Sequence, residues 1–154
     1  HRMGDIYNQR VDWAQAAAAY ASIVAVSPDD ERAQLSLVDL YYKQGQSDQA
    51  LHSLDALLGF YQSSGKTQKV LSVLQEAVQT RPEEMGLRAR LAAAYARQGM
   101  TKQAIAEYDA LGEMQLEAGL REEAARTIQT IINLGPDDVE GYRRLYSQIR
   151  GGSL

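Results

Sequence analysis

Apolar residues recur at intervals of three and four along most of the 154-residue chain, the spacing that gathers one buried stripe on a helix. Between Asp48 and Ser63 the stripe is Ala50, Leu51, Leu54, Leu57, Leu58 and Tyr61. Leu37, Val38, Leu40 and Tyr41 predict a helix over Glu31–Gln44; Val70, Leu71, Leu74, Ala77 and Val78 predict another over Thr67–Thr80. No run alternates with the period of a strand, and no proline falls inside a predicted helix, so the pattern predicts an all-α chain. Gly45 and Gly65 stand where a left-handed residue ends a helix, and Ser47, repeated as Thr101, is placed to cap the helix that follows.

The punctuation repeats. Ser27-Pro28-Asp29-Asp30, Arg81-Pro82-Glu83-Glu84 and Gly135-Pro136-Asp137-Asp138 are evenly spaced, since 82 − 28 and 136 − 82 both give 54. The residue before a proline resists helical geometry, so each preceding helix stops there. The paired acids can cap the next helix and suit the positive end of its dipole. Units 31–84 and 85–138 superpose without a gap, with 12 of 54 positions identical, among them Leu37/Leu91, Tyr41/Tyr95, Gly45/Gly99, Ala50/Ala104 and Gly65/Gly119. These are packing and turn residues. Residues 1–30 read as the tail of an earlier unit. In 139–150, Tyr142, Leu145, Tyr146 and Ile149 outline a closing helix that caps the array, and 151–154 form a tail. The expectation is one domain over 1–150 with about nine helices, counting a partial one at each end. The start at His1 suggests an excised or processed fragment whose first residues are the end of a helix.

The combination of small, aromatic and turn residues resembles the tetratricopeptide repeat (TPR) family, whose unit is a hairpin of about 34 residues. Met3, Gly4, Tyr7, Ala16, Tyr20 and Pro28 fit one unit, with Ile23 in place of an alanine. Leu37, Tyr41, Gly45 and Ala50 open a second; Leu91, Ala92, Tyr95, Gly99, Ala104 and Tyr108 open a third. Gly65, Ala77 and Pro82, and Gly119, Ala124 and Pro136, close the second halves. The resemblance implies a right-handed alpha-alpha solenoid of antiparallel hairpins, here with a three-helix super-repeat of 54 residues. In that repeat Asp48–Ser63 serves as second helix of one hairpin and first of the next. The resemblance also implies a groove lined by first helices. The residues those helices would present are Arg32, Leu35, Asp39, Tyr42 and Lys43, then Ala89, Ala93 and Arg97, then Arg143, with Tyr42 as the aromatic anchor. Some family members clamp a peptide carboxylate with lysine and asparagine on this face; Leu35 and Asp39 stand at the comparable places, so that activity is not implied.

Composition narrows the chemistry. Sixteen basic and 20 acidic residues give a net charge of −4, without the clustered basic patch that nucleic acid requires. No apolar run approaches the ~20 residues of a membrane span. Zero cysteines exclude disulfides, zinc–thiolate sites and thiol catalysis. Gly59-Phe-Tyr-Gln-Ser-Ser-Gly65-Lys66-Thr67 mimics a phosphate loop, but it has five residues between its glycines where four are needed, and it follows a helix rather than a strand. His52 has Asp55 one turn away and no nucleophile or second ligand, so it reads as a solvent-facing residue. The paired acids at the joints read as helix-start residues rather than a cation site, and Tyr20, Tyr41, Tyr61, Tyr95 and Tyr108 as packing residues. The sequence thus predicts a non-catalytic module binding a peptide or protein on its concave face, without cofactor or metal, and favours the cytoplasm. Its alternative is a structural domain that forms homodimers or larger homo-oligomers through exposed end faces.

Overall fold

A computed structural model of the chain describes the backbone of residues 2–152 and the side chains of residues 9–152. Among the described residues eight helices follow one another: α1 (Arg2–Val26), α2 (Glu31–Lys43), α3 (Ser47–Ser63), α4 (Thr67–Thr80), α5 (Met85–Arg97), α6 (Thr101–Glu117), α7 (Arg121–Asn133) and α8 (Val139–Arg150). Among the described residues there is no strand. The helices α2, α3 and α4 recur as α5, α6 and α7, since 85 − 31, 101 − 47 and 121 − 67 all give 54.

The glycine turns share one hydrogen-bond pattern. Gln46 N–H donates to the Tyr41 carbonyl at 2.8 Å and Gly45 N–H to that of Tyr42 at 3.0 Å. The same pair of bonds closes α3, α5 and α6 at Gly65, Gly99 and Gly119. The pattern is a Schellman closure, and it needs a residue at positive φ, near +75° in each of these glycines. Gly135 also lies at φ 75°, but Pro136 follows it and has no N–H to complete the pair. There α7 gives way to a proline joint.

Three expectations need correcting. A single unbroken helix, α1, runs through residues 2–26, so this stretch is not a helix end followed by a second helix, and the described residues hold eight helices rather than about nine. Between Asp5 and Ser27 no glycine or proline interrupts an alanine-rich run, and helix propensity carries it through. The side chains of Met3 and Tyr7, placed with Gly4 in an earlier hairpin by sequence, lie outside the described residues, as do the tail residues Ser153 and Leu154. Ser47 and Thr101 do not cap: both are already inside their helices, and the preceding Gln46 and Met100 make no side-chain cap bond. Of the joint acids, Asp30 accepts from Ala33 N–H and Asp138 from Gly141 N–H, each at 3.0 Å. Glu84, one methylene longer, makes no such bond.

The helices fall into two compact units that divide at Thr67/Gln68, inside the 31–84 sequence repeat rather than at a proline. In the first, α2 packs on both α1 and α3. Ala17, Leu37 and Leu40 are buried there, with Trp13, Tyr20, Val24 and Tyr41 packed against them. In the second unit α5 packs on α6, α6 on α7 and α7 on α8. Ala124, Ala125, Ile128, Ile131 and Ile149 form a core closed by Tyr108, Tyr142, Leu145 and Tyr146. Each fully buried leucine or isoleucine contributes about 1.5–3 kcal/mol. In both units the packed pairs are neighbours along the chain, as a repeat fold requires.

Candidate functional site

Six of the nine residues predicted to face a partner lie on register-equivalent lines of α2 and α5. Leu35, Asp39 and Lys43 follow one another every four residues on α2, and Ala89, Ala93 and Arg97 occupy the same places on α5. Arg143 on α8 is the equivalent of Leu35 and Ala89. Arg32, Lys43, Arg97 and Arg143 are exposed, while Leu35, Asp39, Ala89 and Ala93 are half-buried. Lys43 pairs with Asp39 at 3.0 Å and Arg143 with Glu140 at 2.8 Å.

Tyr42 does not belong to this face. Its side chain is only 8% exposed, so the second aromatic beside Tyr41 serves the interior and cannot anchor a ligand. The register explains why: Tyr42 stands one residue off the 35–39–43 line, which rotates it by about 100° around the helix.

Arg97 is the distinctive cation of this face. Among the described residues no carboxylate pairs with it, and its charge acts on the phenol of Tyr108 on the next helix. Burial raises that phenol's pKa and Arg97 lowers it in part.

Sequence reasoning did not find the polar contacts that link the helices. Gln34, 2% exposed, donates from Nε2 to the Pro28 carbonyl at 2.9 Å. Its equivalent, Arg88, donates from Nη2 to the Pro82 carbonyl at 3.1 Å and from Nη1 to Glu107 Oε2 at 2.9 Å. Gln75 Nε2 donates to the Tyr95 hydroxyl at 2.9 Å, tying α4 to α5 across that proline joint. The Tyr142 hydroxyl lies 2.9 Å from both carboxylate oxygens of Asp109. Burial first, and then this bond, push the Tyr142 phenol up to about 12, and burial raises the Asp109 carboxyl. The register could have signalled Arg88: a charged residue at the place of a buried glutamine requires a partner.

Beside the Arg88–Glu107 pair, the second unit holds a cleft of about 670 Å³ lined by Pro82, Glu83, Met85 and Arg88, and by Ala110, Glu113, Met114, Glu117 and Ala118 of α6. The α6 residues recur at three and four, so one helix face forms the wall.

The other candidates are structural. Gly59–Thr67 is the last turn of α3, the Gly65 closure and the first residue of α4, with Lys66 Nζ 5.8 Å from the centre of the Phe60 ring. His52 is exposed on α3. Tyr61 is buried, and burial, followed by a hydrogen bond to Glu31, raises its phenol well above the ordinary value. Among the described residues no three histidine or acidic side chains converge as a metal-binding group, and no helix is long and apolar enough to cross a membrane.

The chain aligns in three dimensions with the crystal structure of MamA at a TM-score of 0.51 and 18% identity, covering 97% of this chain and 95% of that one. A thermophilic TPR protein from Thermus thermophilus aligns over 96% of this chain and 95% of its own at 20% identity, with a TM-score of 0.34. The first likeness is one of fold; the second is too loose to argue from. No curated protein matches the chain. The tetratricopeptide repeat profile matches residues 9–64 and again 61–115, well over half the sequence, and covers most of α1, all of α2 to α5 and most of α6. With the glycine closures and the neighbour-on-neighbour helix packing, this places the chain in the tetratricopeptide repeat family, whose helical scaffolds typically mediate protein–protein interaction.

Proposed function

We propose that the chain is a non-catalytic docking scaffold that takes a peptide or folded partner on its first-helix faces, the Leu35–Asp39–Lys43 line of α2 and the Ala89–Ala93–Arg97 line of α5. The observation that carries this reading is Arg97, an exposed cation without a carboxylate partner among the described residues, at the end of a track of small side chains. Alanines give a ligand backbone close approach, and an unspent guanidinium gives a bidentate donor for a carboxylate. Arg32 adds an exposed positive charge on α2. On this reading the concave face is the binding surface, and the partner is recognised through an acidic or carboxylate-bearing segment.

The test is peptide display selection on the wild-type chain, followed by affinity measurement on Arg97→Glu and Ala93→Glu. The selected peptides are expected to carry acids and to lose about tenfold or more in affinity to either variant, the size of one charged contact turned repulsive. Selected peptides that bind both variants as well as the wild type would remove this face from consideration.

A second reading, self-association, is favoured by the outer side of α1. Val26 is 85% exposed and Ile23 43%, and neither is among the residues of α1 that pack against the core with α2. Light scattering over a concentration series checks it: a dimer abolished by Ile23→Lys and Val26→Lys supports this reading, and a strict monomer at every concentration ends it.

A further inference from the structure

We propose that the cleft of the second unit is a separate docking site for a cationic peptide segment that carries a large apolar side chain. The floor contains Met85 and Met114, two of the four methionines in the chain. Methionine is the adaptable apolar side chain of binding surfaces, because its unbranched thioether repacks around different shapes. The rim carries Glu83, Glu113 and Glu117, all exposed, and none is bonded to a cation among the described residues. The one cation in the lining, Arg88, is already committed to Glu107 and the Pro82 carbonyl. Three unspent negative charges therefore lie beside an apolar floor in an open cleft of about 670 Å³, a shape that suits a peptide laid along it rather than an enclosed small molecule.

The repeat does not demand this chemistry. At the equivalent places the first unit has Asp29 for Glu83, Glu31 for Met85, Gly59 for Glu113, Phe60 for Met114 and Ser63 for Glu117. The acid at Glu83 belongs to the repeated joint, but helix packing is satisfied by the rest of that other set, so packing alone does not account for Met85, Met114, Glu113 and Glu117. Charge complementarity then selects the occupant: lysine or arginine side chains over the rim, and a leucine-sized group on the methionines. A nucleic acid or an acidic lipid surface would be repelled. The site shares no residue with the Arg97 face and has the opposite charge preference, so the two readings stand or fall separately.

Fluorescence anisotropy with the full chain tests it, using a labelled lysine-rich peptide with a central leucine pair, the same peptide without the leucines, and a version with glutamates for the lysines. The leucine–lysine peptide is expected to bind, and to weaken by about tenfold in the Glu113→Gln, Glu117→Gln double variant and with added salt. Removing the leucines is expected to weaken it by a similar factor, and the glutamate version is expected not to bind. Arg97→Glu should leave all three results unchanged. Both substituted glutamates are exposed, and circular dichroism establishes that the variant is folded. Absence of binding at millimolar peptide, equal binding by the double variant, or equal binding without the leucines would each overturn the proposal.

Discussion

The α2–α3 and α5–α6 hairpins have the same helix lengths and the same glycine closure, yet they solve the same packing problem with different electrostatics. At one register place the first hairpin buries a neutral Gln34, with Ser53 also buried; the second places Arg88 opposite Glu107. Both Gln34 and Arg88 donate to the carbonyl of the joint proline. The backbone contact is common and the charge is added. The comparison teaches that the fold asks only for a donor at this place. What the second hairpin does with charge, in the ion pair and in the acidic rim nearby, is free to serve recognition.

The sharpest way to break the comparison is to remove one half of the ion pair. Glu107→Ser gives the second hairpin the residue of the first but leaves the Arg88 guanidinium, whose side chain is 16% exposed, without its counter-ion. The expected loss is about 2–3 kcal/mol in urea unfolding, somewhat below the figure for a fully buried pair. Adding Arg88→Gln restores the neutral arrangement of the first hairpin and should bring stability to within about 1 kcal/mol of wild type. A double variant as unstable as Glu107→Ser would show that the two hairpins are not interchangeable at this place.

A smaller effect sharpens the contrast at α8, where the equivalent of Gln34 and Arg88 is Tyr142. Tyr142→Phe leaves Asp109 without its hydroxyl donor and should cost about 1–2 kcal/mol at neutral pH. The pH dependence has a definite sign. The fold raises the Tyr142 phenol from 10.0 to about 12, so it favours the neutral form. The stability that Tyr142 contributes is complete below pH 10 and is lost as pH rises through about 12. Tyr142→Phe should therefore flatten the alkaline part of the stability profile, read by denaturant midpoints across that range. An unchanged alkaline slope would place that titration elsewhere.

The smallest differences concern the caps. Asp30→Ala and Asp138→Ala should each cost about 1 kcal/mol, whereas Glu84→Ala, which removes no cap bond, should cost a few tenths at most. Glu84→Asp should supply the missing bond and raise the melting temperature slightly. Thermal unfolding of the four variants side by side orders them.

The helices, glycine closures and proline joints are legible in the sequence because they depend on local chemistry. Residue spacing, Gly45, Gly65, Gly99 and Gly119, and the missing N–H of the prolines act within a few positions of themselves. The continuity of α1 is lost when the repeat pattern is extended over Met3, Gly4 and Tyr7, although the intervening residues hold nothing that ends a helix. The site is less legible. The Arg88–Glu107 and Asp109–Tyr142 contacts join residues 19 and 33 positions apart, beyond the reach of periodicity. Tyr42 looks like an anchor because an extra aromatic is conspicuous in a sequence; its angle around the helix decides otherwise.

The footprint of a bound partner tests the scaffold reading most directly. Hydrogen exchange, with and without a peptide obtained by selection on the wild-type chain, is expected to show added protection on α2 and α5, strongest around Leu35–Lys43 and Ala89–Arg97. Protection confined to α1, or to the outward residues of α3 such as His52 and Asp55, would contradict the account.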